Sequence, residues 1–199
     1  MTENKNKVIP NFFVIEGLDG AGTTTQAKKL AAELPNSVFT CEPTGSEIGK
    51  LLRKILSHSV STDKITLAHL FAADRSWHLY GNNGIINQSK EHRIFCDRYI
   101  LSSFAYQSID VDEEIILNLN RNFPIPQTTF FIDTPVDICM QRLEKRRNRE
   151  IYEFQELQMK IREKYLKGIE ILKSTGWNIH TIDGTKAINE IFTNIFKYI

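Results

Sequence analysis

Short apolar runs alternate with helical stripes along the chain. Residues 12–15, 37–41, 93–97, 128–133 and 177–182 are brief and rich in β-branched or aromatic side chains, as buried strands are. Between them, apolar residues recur every three or four positions. Ala27, Leu30, Ala31 and Leu34 predict a helix over 26–34 that Pro35 and Asn36 stop. Ile48, Leu51, Leu52, Ile55 and Leu56 predict the next, capped by Ser46 after a loop that Pro43 and Gly45 impose. A third stretch runs from Ser61 to about Ser89, with a break at Gly81-Asn82-Asn83-Gly84. Further helices are expected over 102–107 and 111–120, the second ended by the segment 123–126 with its two prolines, and after Pro135, where Ile138, Cys139 and Leu143 share a face. A long stripe over 151–173 and a last helix over 188–199 complete the pattern. Strands alternating with helices predict one α/β domain over 1–199, a doubly wound five-stranded parallel sheet with helices on both faces.

Composition narrows what such a domain does. The 25 basic and 24 acidic residues leave a formal charge of +1, so no chain-wide field favours nucleic acid or an anionic membrane. Residues 1–10 lack the apolar core of a signal peptide, and no apolar run reaches the roughly 18 residues of a membrane span. A soluble cytoplasmic protein acting on small molecules is expected. Cys41, Cys96 and Cys139 are scattered, form no zinc-type cluster, and read as small buried hydrophobes.

Chemistry concentrates where the first apolar run ends. Gly17-Leu18-Asp19-Gly20-Ala21-Gly22-Thr23-Thr24-Thr25 has the glycine spacing and following hydroxyls of a phosphate-binding loop, with Thr23 at the position of its lysine. Glycines let backbone amides converge on phosphate oxygens, and the helix beginning near Thr24 adds its positive end. Taken alone, the stretch also fits an ordinary strand-to-helix turn. Asp97 closes the third strand, and strand carboxyl ends in an open parallel sheet face the ligand crevice, so Asp97 and the loop should share one site. Arg142, Arg146, Arg147 and Arg149 lie close together, which suits either an anion-binding lid over about 144–152 or a solvated helix end. Phe71 and Arg75 are four apart on one helical face, fit to stack a base and hold its phosphate, or equally to be a core aromatic beside an ion pair.

Several separated stretches, in order, resemble the thymidylate kinase family. They are EGLDGAGTTTQ from Glu16, EPTGSEIGKLLR from Glu42, LFAADRSWH from Leu70, DRYILSSFAYQ from Asp97, and FFID followed by RLEKRRNREIYE from Arg142. The resemblance covers nearly the whole chain. It implies transfer of the γ-phosphoryl group of ATP to dTMP with Mg²⁺, in a protein that is usually a homodimer. It further implies that Asp19 sits near the sugar and the reacting phosphates, that Thr24 and Asp97 hold magnesium, and that Arg98 clamps the acceptor phosphate. By the same resemblance Glu42, Phe71, Arg75, Ser102, Ser103, Tyr106, Gln107 and Tyr152 line the dTMP pocket and Arg146 stacks on adenine. Two departures each remove a cation: Thr23 replaces lysine, and Cys41 stands where many members carry arginine. Arg147 or Arg149 from the lid is then expected to reach the transferring phosphate. The departures leave open a catalytically impaired nucleotide-binding protein, and a kinase for another nucleotide or nucleoside.

Overall fold

The computed structural model describes residues 7–144 and 151–199. Strand β1 (Val8–Gly17) leads into α1 (Thr23–Glu33), β2 (Ser37–Cys41), α2 (Glu47–Leu56), α3 (Lys64–Tyr80) and the short α4 (Ile85–Gln88). Strand β3 (Arg93–Asp97) is followed by α5 (Ile100–Gln107), α6 (Glu113–Asn120), β4 (Ile125–Asp133), α7 (Val136–Glu144), α8 (Ile151–Ser174), β5 (Ile179–Asp183) and α9 (Ile188–Phe196). All strand pairs are parallel, in the order β2-β3-β1-β4-β5. The apolar run therefore lies at the centre of the sheet. Phe12, Phe13, Val14 and Ile15 are buried there, paired with Ile94 to Asp97 of β3 on one side, while Phe13 to Ile15 pair with Thr128 to Phe130 of β4 on the other.

The expected strands are present, with shifted ends. β1 starts at Val8 rather than Phe12, and β4 at Ile125 rather than Thr128, because Ile9 pairs with Pro126 ahead of a register shift between Ile9 and Phe13. Asn11, at φ 59°, turns the chain through that irregularity, a conformation asparagine tolerates better than most residues. Trp177 precedes β5 instead of opening it. Gly81 ends α3 as expected, and the Ser46 hydroxyl accepts from the Gly49 amide at 3.0 Å as the cap of α2.

One carboxylate organises the end of β1. Glu16 is fully buried, and its Oε1 accepts from the backbone amides of Tyr99 at 2.9 Å and Ser102 at 3.2 Å. Helix α5 has no side-chain cap of its own, so a strand residue serves its first turn and brings negative charge to the positive helix end. Oε2 accepts from the Ser102 hydroxyl and from Tyr165 Oη at 3.4 Å, which ties in α8. Burial pushes this carboxyl up to about 6, against the lowering effect of the Ser102 hydrogen bonds and nearby Arg98. Folding thus favours the protonated form. Below the ordinary value of 4.5 both folded and unfolded chains carry the proton, and above about 6 both are ionised and the folded chain bears the burial cost. The contribution of Glu16 to stability should fall by about 2 kcal/mol as pH rises through that window. Urea unfolding at pH 4.5 and pH 7 should show Glu16→Gln gaining by that amount relative to the parent; a difference independent of pH would contradict the assignment.

Candidate active site

Residues 17–25 form a turn between β1 and α1. Gly20 has φ +86°, and a side chain there would lie 2.6 Å from the Cys139 carbonyl of α7, so only glycine fits between loop and helix. Gly22, at φ +101°, starts α1 without a side-chain cap, which leaves the first helical amides directed at the crevice. Thr23 is buried, and a side chain on Gly17 would meet its methyl at 3.1 Å. Thr23 therefore folds back against the loop. Arg142 braces the same turn, donating from Nη1 to the Gly20 and Ala21 carbonyls at 3.3 Å each and from Nη2 to the Gly184 carbonyl at 3.1 Å.

Asp97, at the end of β3, faces the start of α1. Thr24 Oγ1 donates to Asp97 Oδ2, while Oδ1 is buried and has no partner among the described residues. An unpartnered buried carboxylate oxygen beside a hydroxyl is a donor set that suits a hard divalent cation. Arg98 follows at φ 74°, a left-handed conformation rare for a residue with a side chain. The turn aims its guanidinium across the loop: Nη2 pairs with Asp19 Oδ1 at 2.7 Å, and Nη1 donates to the Gly17 carbonyl at 3.0 Å, Tyr165 Oη at 3.1 Å and Ser102 Oγ at 3.2 Å. The guanidinium carbon lies 5.2 Å from the centre of the Tyr106 ring, and Tyr106 Oη accepts from the Asp19 amide at 3.2 Å. Burial works against the charge of Arg98, but Tyr106, Tyr165, Asp19 and Asp97 hold it protonated well above its usual range.

A second polar group lies beyond α5. Arg75 is 1% exposed, and its Nε and Nη2 donate to Glu42 Oε2 at 3.0 and 2.7 Å. Nη2 also donates to Ser103 Oγ at 2.8 Å, and Nη1 to Asn120 Oδ1. Stacking against Tyr99 and Phe123 completes its surroundings. Gln107 Nε2 is 3.5 Å from Ser103 Oγ. Phe71, half-buried, lies one turn before Arg75 on α3. The loop after β2 is held by Asp74, which accepts from the Thr44 amide at 2.7 Å and from the Thr44 and Ser46 hydroxyls at 2.6 and 2.8 Å. Arg53 reaches back from α2 to the Pro43 and Thr44 carbonyls.

The structure thus brings Gly17 to Thr25, Asp97, Arg98, Ser102 and Tyr106 together in one group, and Glu42, Arg75, Ser103 and Gln107 in a second. Arg146, Arg147 and Arg149, residues 145–150 of the expected lid over 144–152, and the side chain of Tyr152 lie outside the described residues. Arg75 is buried among protein partners, so it is a fixed polar group of this second cluster rather than a free cation. Of the three cysteines, Cys96 and Cys139 are buried, whereas Cys41 is half-buried near Arg53, with Nη2 4.0 Å from its sulfur. Glu16, Arg53, Asp74 and Tyr165 are participants that the spacing of the sequence did not single out, and Arg142, expected in the basic cluster, instead braces the turn. A carboxylate in an otherwise apolar strand was the available signal for Glu16; Tyr165 was indistinguishable from its neighbours on the α8 stripe.

Comparison with known proteins places this geometry in a family. The family model described as thymidylate kinase matches residues 15–195. A thymidylate kinase of Leptospira interrogans is 38% identical over 196 residues, covering 94% of this chain and 92% of its own. A probable thymidylate kinase of Methanococcus aeolicus is 38% identical over 190 residues, covering 94% of each. Among solved structures, the crystal structure of thymidylate kinase from Ehrlichia chaffeensis superposes with a TM-score of 0.71 at 26% identity, over 96% of this chain and 98% of that one. Matched by that family model over residues 15–195 and by relatives 38% identical over most of both chains, the chain belongs to the thymidylate kinase family.

Proposed function

We propose that the protein transfers the γ-phosphoryl group of ATP to dTMP, forming dTDP and ADP on the route to dTTP. One observation supports this reading: the glycine-rich turn, Asp97 and Arg98 meet at the carboxyl ends of β1 and β3, and α5, which carries Ser102 at that turn, also carries Ser103 and Gln107 of the Arg75 group, where a pyrimidine would lie. ATP phosphates would lie on the amides of residues 17–25, with Arg146 against adenine. The acceptor phosphate would lie at Arg98, with Arg53 as a second cation from α2. Phe71 would stack on the base, with Glu42 fixing Arg75 behind it, and Asp19, Ser102, Tyr106 and Tyr152 would border the sugar and phosphate.

The chemistry asks little of a general base. A phosphate monoester has its second pKa at about 6, so the attacking oxygen is largely ionised at neutral pH. Alignment and neutralisation of charge supply the acceleration. Thr24 and Asp97 would hold Mg²⁺, which when bound neutralises charge on the phosphates of ATP. Arg98 contributes a cation whose direction is set by four acceptors, so little reorganisation accompanies transfer. A homodimer is favoured by the exposed Leu51, Trp77 and Tyr80 on α2 and α3. Among the described residues no helix is long and apolar enough to cross a membrane, in keeping with a cytoplasmic enzyme.

A competing reading, nucleotide binding without transfer, rests on Thr23, which offers no charge to the loop. A coupled assay of ADP release with Mg-ATP and dTMP, dUMP, dCMP or thymidine separates the readings. Turnover should be highest with dTMP; turnover with none of the four acceptors would favour a binding protein, and a preference for thymidine would move the acceptor to a nucleoside. Arg98→Ala should lower kcat about a hundred- to a thousandfold. Retention of full turnover in that variant, with its fold verified by circular dichroism, would remove Arg98 from the transfer machinery.

A further inference from the structure

Behind Arg75 lies a histidine with no assigned part in the reaction. His78, one turn further along α3, is 10% exposed at its side chain and stands between β2 and the buried Glu42–Arg75 pair. Its Nδ1 is 3.1 Å from Glu42 Oε1, and its Nε2 is 2.6 Å from Thr40 Oγ1. With the Nδ1 proton in place, the ring donates to Glu42 and accepts from the Thr40 hydroxyl, which satisfies both nitrogens. The two oxygens of Glu42 are thereby divided: Oε2 accepts from Nε and Nη2 of Arg75, and Oε1 from His78. Glu42 is 3% and Arg75 1% exposed at the side chain, so neither finds water as a ready substitute.

We propose that His78 is a positioning residue for the acceptor nucleotide. By holding Oε1 it fixes the rotation of the Glu42 carboxylate, and that rotation decides where Arg75 Nη2 meets Ser103. The Thr40–His78–Glu42–Arg75–Ser103 series runs without a gap from β2 to the α5 edge. His78 also borders an open cavity of about 630 Å³ together with Thr44, Ser46 and Trp77, so truncating the ring lets solvent reach the carboxylate instead of leaving a sealed void. The chain of contacts ends at the polar edge assigned to the pyrimidine and does not include the phosphate-binding turn. A change at His78 should therefore weaken dTMP and leave ATP alone.

This inference rests on the reading of the acceptor as dTMP. Calorimetry of dTMP binding, run beside steady-state kinetics for both substrates, tests the two separately. His78→Ala should raise the Kd and KM for dTMP about tenfold, the effect of exchanging a fixed donor on Glu42 Oε1 for mobile water. The KM for ATP should stay unchanged and kcat should move less than about threefold. His78→Asn, whose amide nitrogen can stand where Nδ1 stands, should recover most of the dTMP affinity. Thr40→Val, which keeps the Glu42 contact but frees the ring, should give an intermediate loss and serves if His78→Ala does not fold. Unchanged dTMP binding in both His78→Ala and Thr40→Val, or an equal rise in the KM values for ATP and dTMP, would overturn the positioning role. A parent that binds no dTMP at all would instead overturn the acceptor assignment and the inference with it.

Discussion

A carboxylate buried at the end of a strand must be met by donors, and the donors around Glu16 set the geometry of the whole crevice. Two are the first amides of α5, and two are the hydroxyls of Ser102 and Tyr165. Because an unpaired buried carboxylate is costly, α5 cannot slide or tilt without breaking this set. The same hydroxyls turn their oxygens to Arg98 Nη1, so the ionised group in β1 indirectly aims the guanidinium that crosses the loop. Strand, helix and cation are held in one arrangement. The left-handed turn at Arg98 is tolerated because amides on both sides of it are engaged: Arg98 to the Ile15 carbonyl and Tyr99 to Glu16.

Charge at the phosphate end is distributed over several elements. A turn with lysine would bring its own cation; here Thr23 lies folded against Gly17, and positive groups arrive from elsewhere. Arg98 comes from the end of β3, Arg142 from α7 and Arg53 from α2. Arg142 spends its donors on loop carbonyls, which shapes the turn, whereas Arg98 sits over Tyr106 at the rim of the crevice, where a phosphate could meet it. Guanidinium groups thus reach the turn from β3 and α7, and the loop after β2 from α2, without a lysine in the turn. Preorganised cations of this kind lower the barrier to phosphoryl transfer because they need not move as charge develops.

Much of the fold could be read from spacing alone. The five apolar runs became five parallel strands because each is bounded by proline, glycine or a charged residue, and the Ser46 cap and the break at Gly81 follow from side-chain chemistry. Strand ends were less legible, since the pairing of Ile9 with Pro126 depends on a kink at Asn11 that no local preference announces. The glycine spacing of residues 17–25 was visible, and the stretch folds as the expected turn between β1 and α1. Arg75 was visible as to place but not as to state: helical periodicity cannot tell a free cation from one enclosed by Glu42, Ser103 and Asn120. Glu16, Tyr165 and His78 act through partners distant in sequence, and such roles appear only when the chain is folded.

The central claim is that this arrangement transfers phosphate with threonine in place of the lysine. Single-turnover transfer of labelled γ-phosphate from ATP to dTMP, followed by rapid quench in the parent and in Thr23→Lys, addresses it most directly. Measurable transfer in the parent, changed by less than about a hundredfold in Thr23→Lys, is what cations on other elements predict. No transfer in the parent, with a rise of about a hundred- to a thousandfold on restoring lysine, would mean that Arg98 and its neighbours do not make up for the missing charge.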